Sequence, residues 1–544
     1  MKRIFMRKRG VSPVFLCLLL FLTACSSKSA DSGQAETGGT TAAAKKVINV
    51  GIVTSPSAFN PINTPNNITA IVTSIMFLPL VEQDDEMKFQ PMLADSIGTS
   101  DNQVFTVKLN AAAKWSDGQP VTAKDVLFTI KMIADPKINA SVASNLNVLE
   151  GFDDTGKVQG SFESVTGVKL VDDHTLEFRT KNKMDLDLFK SKVGTNVKTL
   201  PEHVLKDAAV DTWDQNEFFQ KPDVTSGAFK FVSYAKDQYI QFEANKDYFK
   251  GAPKIDELNL KIMPSANLVA QLQSGEIDMN LPGVGAIDVG DYERVKNMSN
   301  LRTVEGIPVS YQTIIFNMQS LTDVKVRQAI AYAINRQLIV ENLLKGQAEI
   351  VDGPYTSQQP YFDKELVPYA YDPTKAKELL KEAGWDSSKK LTFVVPTGNK
   401  TREQAADIIV QNLKAVGIET QIQKYDVATS VQKVQDKQFD IDLLGQAITI
   451  DPDLTTTLSE KGSFNLSGYK DAEMEQLLAS GNKEMDPAKK KEIYNKIQEK
   501  FKAELPQLTL YSDKQLRAIN KRVTVGEPKN FGTFIDVYKW DVAE

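Results

Sequence analysis

Cysteine is almost absent from this chain of 544 residues, which contains only Cys17 and Cys25. Both lie near the N-terminus, so the long segment that follows has no internal disulfide and no cysteine-based metal site. Its stability therefore has to come from a large hydrophobic core. The composition supplies one, since 42% of the residues are hydrophobic and 25% are charged, as in ordinary globular proteins. The length corresponds to about three or four domain-sized units.

Histidine and the familiar catalytic motifs are also scarce. The only histidines, His174 and His203, do not suggest a catalytic dyad, and without cysteines they make a poor metal site. No G-x-S-x-G, H-E-x-x-H or P-loop motif occurs. The segment 282–290 has Asp288 where a dinucleotide-binding loop needs a glycine, and the aspartates of DPD at 451–453 are weak grounds for hydrolysis. These absences favour a binding protein over an enzyme, with no cofactor and no metal.

Basic residues are concentrated at the N-terminus. The first ten residues hold five basic and no acidic side chains, and residues 11–22 are almost wholly apolar. This pattern is typical of a secretory signal peptide, because about 20 apolar residues are needed to span a bilayer. We predict a signal peptide over 1–24. Its removal would change the formal net charge from −6 to −11, which argues against nucleic acid as a partner.

The four residues Leu22-Thr23-Ala24-Cys25 resemble the lipobox of bacterial lipoproteins. The resemblance implies cleavage before Cys25 and attachment of a diacylglycerol to its sulfur. The following residues, 25–44, are rich in Ser, Gly, Thr and Ala, and we expect them to form a flexible tether. A lipid on a tether would hold the chain on the outer face of the cytoplasmic membrane. We expect a Gram-positive cell surface, with a periplasmic lipoprotein as the alternative.

The remaining sequence alternates strand and helix patterns. Residues 102–110 alternate apolar and polar side chains as a half-buried strand does. Residues 322–346 have apolar positions at helical spacing, with Gly346 as the stop. A strand from Leu391, a helix and a second strand at 419–426 read as a β-α-β unit. The fold class is therefore α/β.

Several stretches together resemble one family, the solute-binding lipoproteins of peptide ABC importers (bacterial extracellular solute-binding proteins, family 5, of the oligopeptide- and dipeptide-binding type). The W-S-D-G-x-P block with its following helix is the most telling. The similar segments run in family order from about residue 48 to the C-terminus. They are 114–130, 225–258, 268–279, 316–340, 372–385, 450–478 and 505–523.

The resemblance implies a periplasmic-binding-protein fold of type II, in which two hinged lobes enclose a ligand. The first lobe would be discontinuous, comprising 45–66, 220–305 and 516–544. An extra domain, 67–219, would pack on it, and 306–515 would form the second lobe.

The resemblance also implies a function. The chain would capture oligopeptides between its lobes and deliver them unaltered to the permease subunits of an ABC transporter. Its partners would be the peptide, the permease and, through the lipid, the membrane, and we expect a monomer. Backbone pairing to the peptide would allow broad specificity. Three alternatives stay open at this point: another solute such as an oligosaccharide, a receptor for a peptide signal, and an exported enzyme.

The segment after strand 439–446 is the main candidate for the ligand site. In the family, an aspartate three residues before the first aspartate of D-P-D holds the ligand's α-ammonium, but here that position is Ile448. Gln446 replaces the usual tryptophan. Three explanations for the missing aspartate stay open. The ligand is long or has a blocked N-terminus and is held by its backbone, or another acidic residue binds its amine, or the ligand is not a peptide. We favour the first. We predict that Gln446, Ala447, Ile448 and Thr449 line the cleft.

The family pattern brings seven further residues towards the cleft. Four other residues are typical of the family, but roles in turns and packing explain them, so they are not candidates for the ligand site: Trp115, Asp117, Arg327 and Trp385. The additional candidates are Ser55, Phe59, Asn60, Tyr311, Asn317, Tyr355 and Ser357.

Overall fold

The computed structural model describes residues 44–448 and 452–543. Cys25, the predicted signal peptide, the predicted tether as far as residue 43, and Thr449 lie outside the described residues. Helices and strands alternate along the described chain. The strands are β1 (Val47–Ile52), β2 (Val81–Gln83), β3 (Phe89–Pro91), β4 (Ala94–Thr99), β5 (Val104–Leu109), β6 (Val168–Asp172), β7 (Thr175–Arg179), β8 (Phe229–Ala235), β9 (Tyr239–Ala244), β10 (Glu257–Ile262), β11 (Met279–Asn280), β12 (Leu301–Glu305), β13 (Ser310–Phe316), β14 (Ala348–Glu349), β15 (Lys390–Pro396), β16 (Glu419–Tyr425), β17 (Ile441–Ala447), β18 (Gln507–Asp513), β19 (Leu516–Asn520), β20 (Val523–Val525) and β21 (Asp541–Val542).

Fourteen α-helices lie within the described residues. They are α1 (Asn67–Met76), α2 (Ala123–Ala134), α3 (Leu186–Phe189), α4 (Glu202–Leu205), α5 (Ser265–Ser274), α6 (Tyr292–Lys296), α7 (Val324–Ala333), α8 (Arg336–Leu338), α9 (Pro373–Glu382), α10 (Lys400–Ala415), α11 (Val427–Gln435), α12 (Thr455–Leu458), α13 (Ala472–Lys483) and α14 (Pro487–Glu504). Short 3₁₀ or π turns lie at Ala143–Val148, Phe162–Ser164, Lys190–Gly194, Val210–Gln215, Glu217–Phe219, Val289–Asp291, Ile339–Leu343 and Val537–Lys539.

A seven-stranded sheet, ordered β12-β19-β11-β1-β10-β9-β8, forms the first lobe. β1 runs parallel to both β10 and β11, and its side chains Ile48, Val50 and Ile52 are fully buried. A four-stranded antiparallel sheet, β4-β5-β7-β6, belongs to the extra domain. One continuous hydrophobic core joins the two sheets, so the extra domain and the first lobe pack as one body.

A six-stranded sheet, ordered β14-β18-β13-β17-β15-β16, forms the second lobe. The predicted β-α-β unit is confirmed, since β15 and β16 run parallel and α10 connects them. The helices α7, α9 and α10 contribute Ile330, Leu380 and Ile409 to a core that is separate from the first-lobe core.

Two chain crossings join the lobes, at 306–309 between β12 and β13 and at 514–515 between β18 and β19. They run side by side, because the Gly306 amide donates a hydrogen bond to the Gln515 carbonyl at 2.9 Å. A Cβ atom at residue 306 would lie 2.6 Å from that oxygen, so glycine permits the close approach. Paired crossings of this kind form a hinge about which two lobes can rotate.

The helix predicted over 322–346 is interrupted, which corrects the sequence-based boundaries. α7 ends at Ala333, and the Asn335 side chain then accepts a hydrogen bond from the Leu338 amide at 2.9 Å and caps a new helix. Because the apolar spacing continues through the break, periodicity alone does not reveal it.

The break directs Arg336 into the second-lobe core. Its side chain and that of Asp352 are both 2% exposed and form an ion pair. The guanidinium also donates to the carbonyls of Thr509 at 2.8 Å and Tyr369 at 2.7 Å. Arg336 therefore connects β18 to the loop that carries Tyr355.

We expect Arg336→Met to destabilise the second lobe by about 3–5 kcal/mol, because the substitution leaves the Asp352 carboxylate buried without its partner. Denaturant unfolding followed by circular dichroism measures the change. The matched control is Arg294→Met, at an exposed pair with Asp291, for which we expect a change within about 0.5 kcal/mol. Equal effects of the two substitutions would contradict the structural role of Arg336.

Candidate functional site

The two lobes meet where β13 begins and β17 ends. Tyr311 and Gln446 are cross-strand neighbours on these antiparallel strands. Tyr311 and Ile448 pack against Met87 of the extra domain and Phe531 of the C-terminal segment. We call Met87, Tyr311, Ile448 and Phe531 the interlobe cluster. A molecule held at this cluster would touch both lobes.

Asp85 positions the first-lobe side of the interlobe cluster. It lies in the turn between β2 and β3, two residues before Met87, whose φ of +58° is uncommon for a residue other than glycine. One carboxylate oxygen of Asp85 accepts hydrogen bonds from the amides of Asn530 at 2.7 Å and Phe531 at 2.9 Å. Arg517 donates to the other oxygen at 3.2 Å. Asp85 thus ties the turn to the C-terminal segment.

A short polar network borders the interlobe cluster on the second lobe. Tyr311 Oη donates to Gln446 Oε1 at 2.9 Å, and Gln446 Nε2 donates to Gln507 Oε1 at 3.1 Å. Burial raises the pKa of the Tyr311 hydroxyl, which therefore stays a neutral donor. The buried Nε2 of Gln507 has no hydrogen-bond partner within the described part of the chain. The network can therefore still donate a hydrogen bond.

The position where the family has its ammonium-binding aspartate is apolar and buried here. Ile448 is 5% exposed, and its amide donates to the Val309 carbonyl at 2.9 Å. The preceding Ala447 is exposed at the end of β17. At this point the second lobe offers backbone and apolar surface rather than a charge.

Two of the predicted first-lobe residues lie inside that lobe. Phe59 is 1% exposed and packs on Phe231, with 5.1 Å between the ring centroids. Asn60 is buried and donates to Asp214 at 3.0 Å. Both contacts fix the loop after β1, and the structure does not bring either residue to the interlobe cluster. Their role as ligand contacts stays a prediction.

Two predicted serines bind neighbouring acids. Ser55 Oγ donates to Asp237 at 2.6 Å, and Ser357 Oγ donates to Glu349 at 2.5 Å. Their hydroxyl protons are therefore engaged within their own lobes.

Asn317 and Tyr355 hold segments of the second lobe together. Asn317 Nδ2 donates to the Phe439 carbonyl at 2.7 Å, which fixes the start of β17. Tyr355 Oη donates to the Pro452 carbonyl, and its ring packs on Tyr494 at 6.1 Å. Tyr355 therefore holds Pro452 in place without being part of the interlobe cluster.

An ion pair joins the extra domain to the second lobe. Lys490 Nζ of α14 lies 2.6 Å from Asp185 Oδ2, and the Lys490 side chain is only 5% exposed. Asp185 also caps α3, because it accepts a hydrogen bond from the Leu188 amide at 2.7 Å. We call Lys490 and Asp185 the latch pair. A cavity of about 390 Å³ lies beside it, lined from both sides by residues that include Leu188, Tyr361 and Pro452.

Sequence reasoning missed several of these residues. Met87, Phe531 and the latch pair carry no local signal, because they act only through contacts with the other lobe. Gln507 carried one, as a polar residue inside the strongly apolar stretch LPQLTLY, which forms β18.

A metal-binding cluster and a membrane-spanning helix are both absent from the described residues. Residues 44–448 and 452–543 contain no cluster of three or more His, Cys, Asp or Glu side chains arranged to hold a metal ion. None of the helices within them combines the length and apolar character needed to cross a membrane.

Comparisons with known proteins identify the family. The family model "Bacterial extracellular solute-binding proteins, family 5 Middle" matches residues 88–464. The oligopeptide-binding protein AppA of Bacillus subtilis is 29% identical over 523 residues, which cover 92% of each chain.

Solved structures share the architecture. The structure of AppA from Bacillus subtilis with a nonapeptide has a TM-score of 0.77 and 25% identity, covering 92% of this chain and all of that one. The ABC transporter substrate-binding protein CtaP from Listeria monocytogenes gives a TM-score of 0.80 and 26% identity, with coverage of 92% and 100%. These matches confirm the two-lobed α/β fold predicted from the sequence. This chain belongs to the bacterial extracellular solute-binding proteins of family 5.

Proposed function

We propose that this chain is the binding component of an ABC importer and captures oligopeptides between its two lobes. The observation that carries the proposal is that the interlobe cluster and the latch pair both bring side chains of the first lobe or its extra domain into contact with the second lobe. A ligand between them is enclosed rather than bound on a surface. AppA, similar over 92% of this chain, was solved with a nonapeptide, and CtaP is a substrate-binding protein of an ABC transporter.

The mechanism begins with the peptide backbone. Its N–H and C=O groups need partners wherever closure excludes water. Gln507 Nε2 supplies a free donor, and the exposed end of β17 at Ala447 supplies backbone to pair with. Such contacts do not depend on peptide sequence. Peptide side chains would lie in hydrated pockets such as the cavity beside the latch pair.

Closure links binding to transport. A ligand that contacts both lobes binds the closed form more tightly and shifts the population towards it. Moving a 1:99 equilibrium to 99:1 takes about 5.5 kcal/mol of differential binding. The latch pair favours closure only modestly, since it replaces the hydration of two charges by one ion pair. The closed form would then deliver the peptide, chemically unaltered, to the permease.

The finer features of the proposal follow the sequence. We place the first lobe at 45–66, 220–305 and 516–544, the extra domain at 67–219 and the second lobe at 306–515; the membership of the three main sheets supports these boundaries. The chain acts as a monomer without catalytic activity. A lipid on Cys25 and the tether 25–44 keep it beside its permease.

Peptide binding can be tested by gentle purification of the full chain, followed by mass spectrometry of the retained ligand. We expect the retained ligand to be a mixture of oligopeptides, and we expect their masses to stay unchanged when they are incubated with the protein. Added oligopeptide at 100 times its Kd should stabilise the protein by about 2.7 kcal/mol in thermal unfolding. X-ray scattering should show a smaller radius of gyration for the protein with peptide than for the protein without it. A retained sugar, or hydrolysis of the peptide, would contradict the proposal.

The latch pair predicts a specific loss of affinity. Asp185→Asn keeps the helix cap but leaves the Lys490 ammonium unpaired whenever the lobes close. We expect peptide affinity to fall by about 30-fold, corresponding to about 2 kcal/mol, with most of the change in the dissociation rate. Stopped-flow fluorescence measures that rate.

Two further variants test the latch assignment. The double variant Asp185→Asn with Lys490→Met should recover part of the lost affinity, because no unpaired charge is then buried. The matched control is Asp211→Asn on the extra domain, whose side chain is 78% exposed, and which should bind as wild type does. Equal losses in Asp185→Asn and Asp211→Asn would rule out the latch.

The lipid anchor is tested by Cys25→Ala. Without the thiol the lipid has no attachment point, so we expect most of the protein to move from the membrane fraction to the culture medium. Labelling with a radioactive fatty acid should be lost at the same time. Unchanged membrane association in this variant would contradict lipidation at Cys25.

A further inference from the structure

A second cavity, of about 290 Å³, lies between the first lobe and the extra domain. Its lining includes Thr64, Glu82, Lys198, Asn530 and Phe531. Phe531 also packs against the interlobe cluster. The cavity therefore shares Phe531 with the interlobe cluster, which places it next to the cleft. We call it the Glu82 cavity.

Glu82 is a half-buried carboxylate with unused acceptor capacity. The only hydrogen bond it accepts within residues 44–448 and 452–543 comes from the Gln83 amide at 3.2 Å, and no ion pair to it is formed there. Burial raises the pKa of the Glu82 carboxyl, and the positive charge of Lys198 acts in the opposite direction. A carboxylate in this setting gains most from a new cationic partner.

Lys198 does not supply that partner by direct contact. Its ammonium donates to the Ala70 carbonyl at 2.7 Å and to Thr73 Oγ1 at 3.3 Å, so it is tied to α1. Burial lowers the pKa of Lys198 to about 8. Its role is to favour the ionised form of Glu82 from a distance, while its own hydrogen-bond donors are largely engaged.

Asn530 also belongs to the lining of the Glu82 cavity. Its backbone is fixed, because its amide donates to Asp85 at 2.7 Å. Both polar atoms of its carboxamide are closed off from solvent and lie beside Gly306 of the hinge. Asn530 therefore shapes the wall of the cavity, and Glu82 supplies its acidic group.

We propose that the Glu82 cavity is a subsite for a basic group of the bound peptide, with Glu82 as its ionic acceptor. The basic group is either the α-ammonium or a lysine or arginine side chain, since both offer the same charged donors. The inference rests on the proposed function and adds a preference to it. It also places the acid on β2 of the extra domain rather than at the apolar position Ile448 of the second lobe.

The test uses matched pentapeptides and isothermal titration calorimetry on the full chain. Acetyl-AAMAA has no basic group, AAMAA has only the α-ammonium, and acetyl-AAKAA, with the lysine moved through all five positions, has only a side-chain cation. We expect wild type to bind at least one basic peptide about 10- to 100-fold more tightly than acetyl-AAMAA. Tighter binding of AAMAA would identify the α-ammonium as the basic group, and tighter binding of a lysine peptide would identify a side-chain cation.

The variants separate a subsite from a merely structural carboxylate. Glu82→Gln keeps the shape and should abolish the preference while leaving acetyl-AAMAA binding unchanged. Glu82→Asp keeps the negative charge but shortens the side chain by one methylene, so it should reduce the preference for basic peptides. This second variant keeps the subsite testable if Glu82→Gln does not fold. The matched control is Glu163→Gln, an exposed acid on the extra domain, which should keep the full preference.

Two outcomes overturn the subsite. The first is that wild type binds all the peptides equally. The second is that Glu82→Gln or Glu82→Asp keeps the wild-type preference for basic peptides, or lowers the affinity for all the peptides by the same factor. If wild type binds none of the peptides, the proposed function itself fails, which is distinguishable from failure of the subsite alone.

Discussion

The separation of two hydrophobic cores is the constraint on which the other features depend. One core runs without a break from the seven-stranded sheet into the extra domain, and another fills the second lobe. Only the two crossings at 306–309 and 514–515 carry the chain between the lobes. Because each core is close-packed, each lobe moves as a rigid body and the freedom is concentrated at the hinge. A molecule built in this way can enclose a guest without rearranging its interior.

The contacts across the cleft are small, as reversible closure requires. The interlobe cluster has four side chains, far fewer than either core. The latch pair adds one ion pair, whose attraction is largely offset by desolvation. A larger apolar interface would hold the lobes shut without ligand. The balance therefore leaves the decision between open and closed forms to the ligand.

Buried polar atoms without hydrogen-bond partners are spread over the described residues, from Thr69 to Asn530, and Gln507 is one that borders the cleft on the second lobe. Glu82, on the extra domain, accepts a single hydrogen bond within the described residues. Polar groups of this kind are costly to bury without partners. Gln507 and Glu82 are far apart in sequence, and their positions are consistent with a ligand that reaches both lobes.

The sequence by itself determined the features that depend on neighbours along the chain. The α/β class and the β15-α10-β16 unit are local patterns, and the series of family segments carried the two-lobed fold. Only the tertiary structure decided which side chains meet at the cleft. Phe59 and Asn60 lie within the first lobe, whereas Met87 and Phe531 come to Tyr311 from distant segments. No local pattern encodes such contacts, because they are set by how separately folded sheets pack across the hinge.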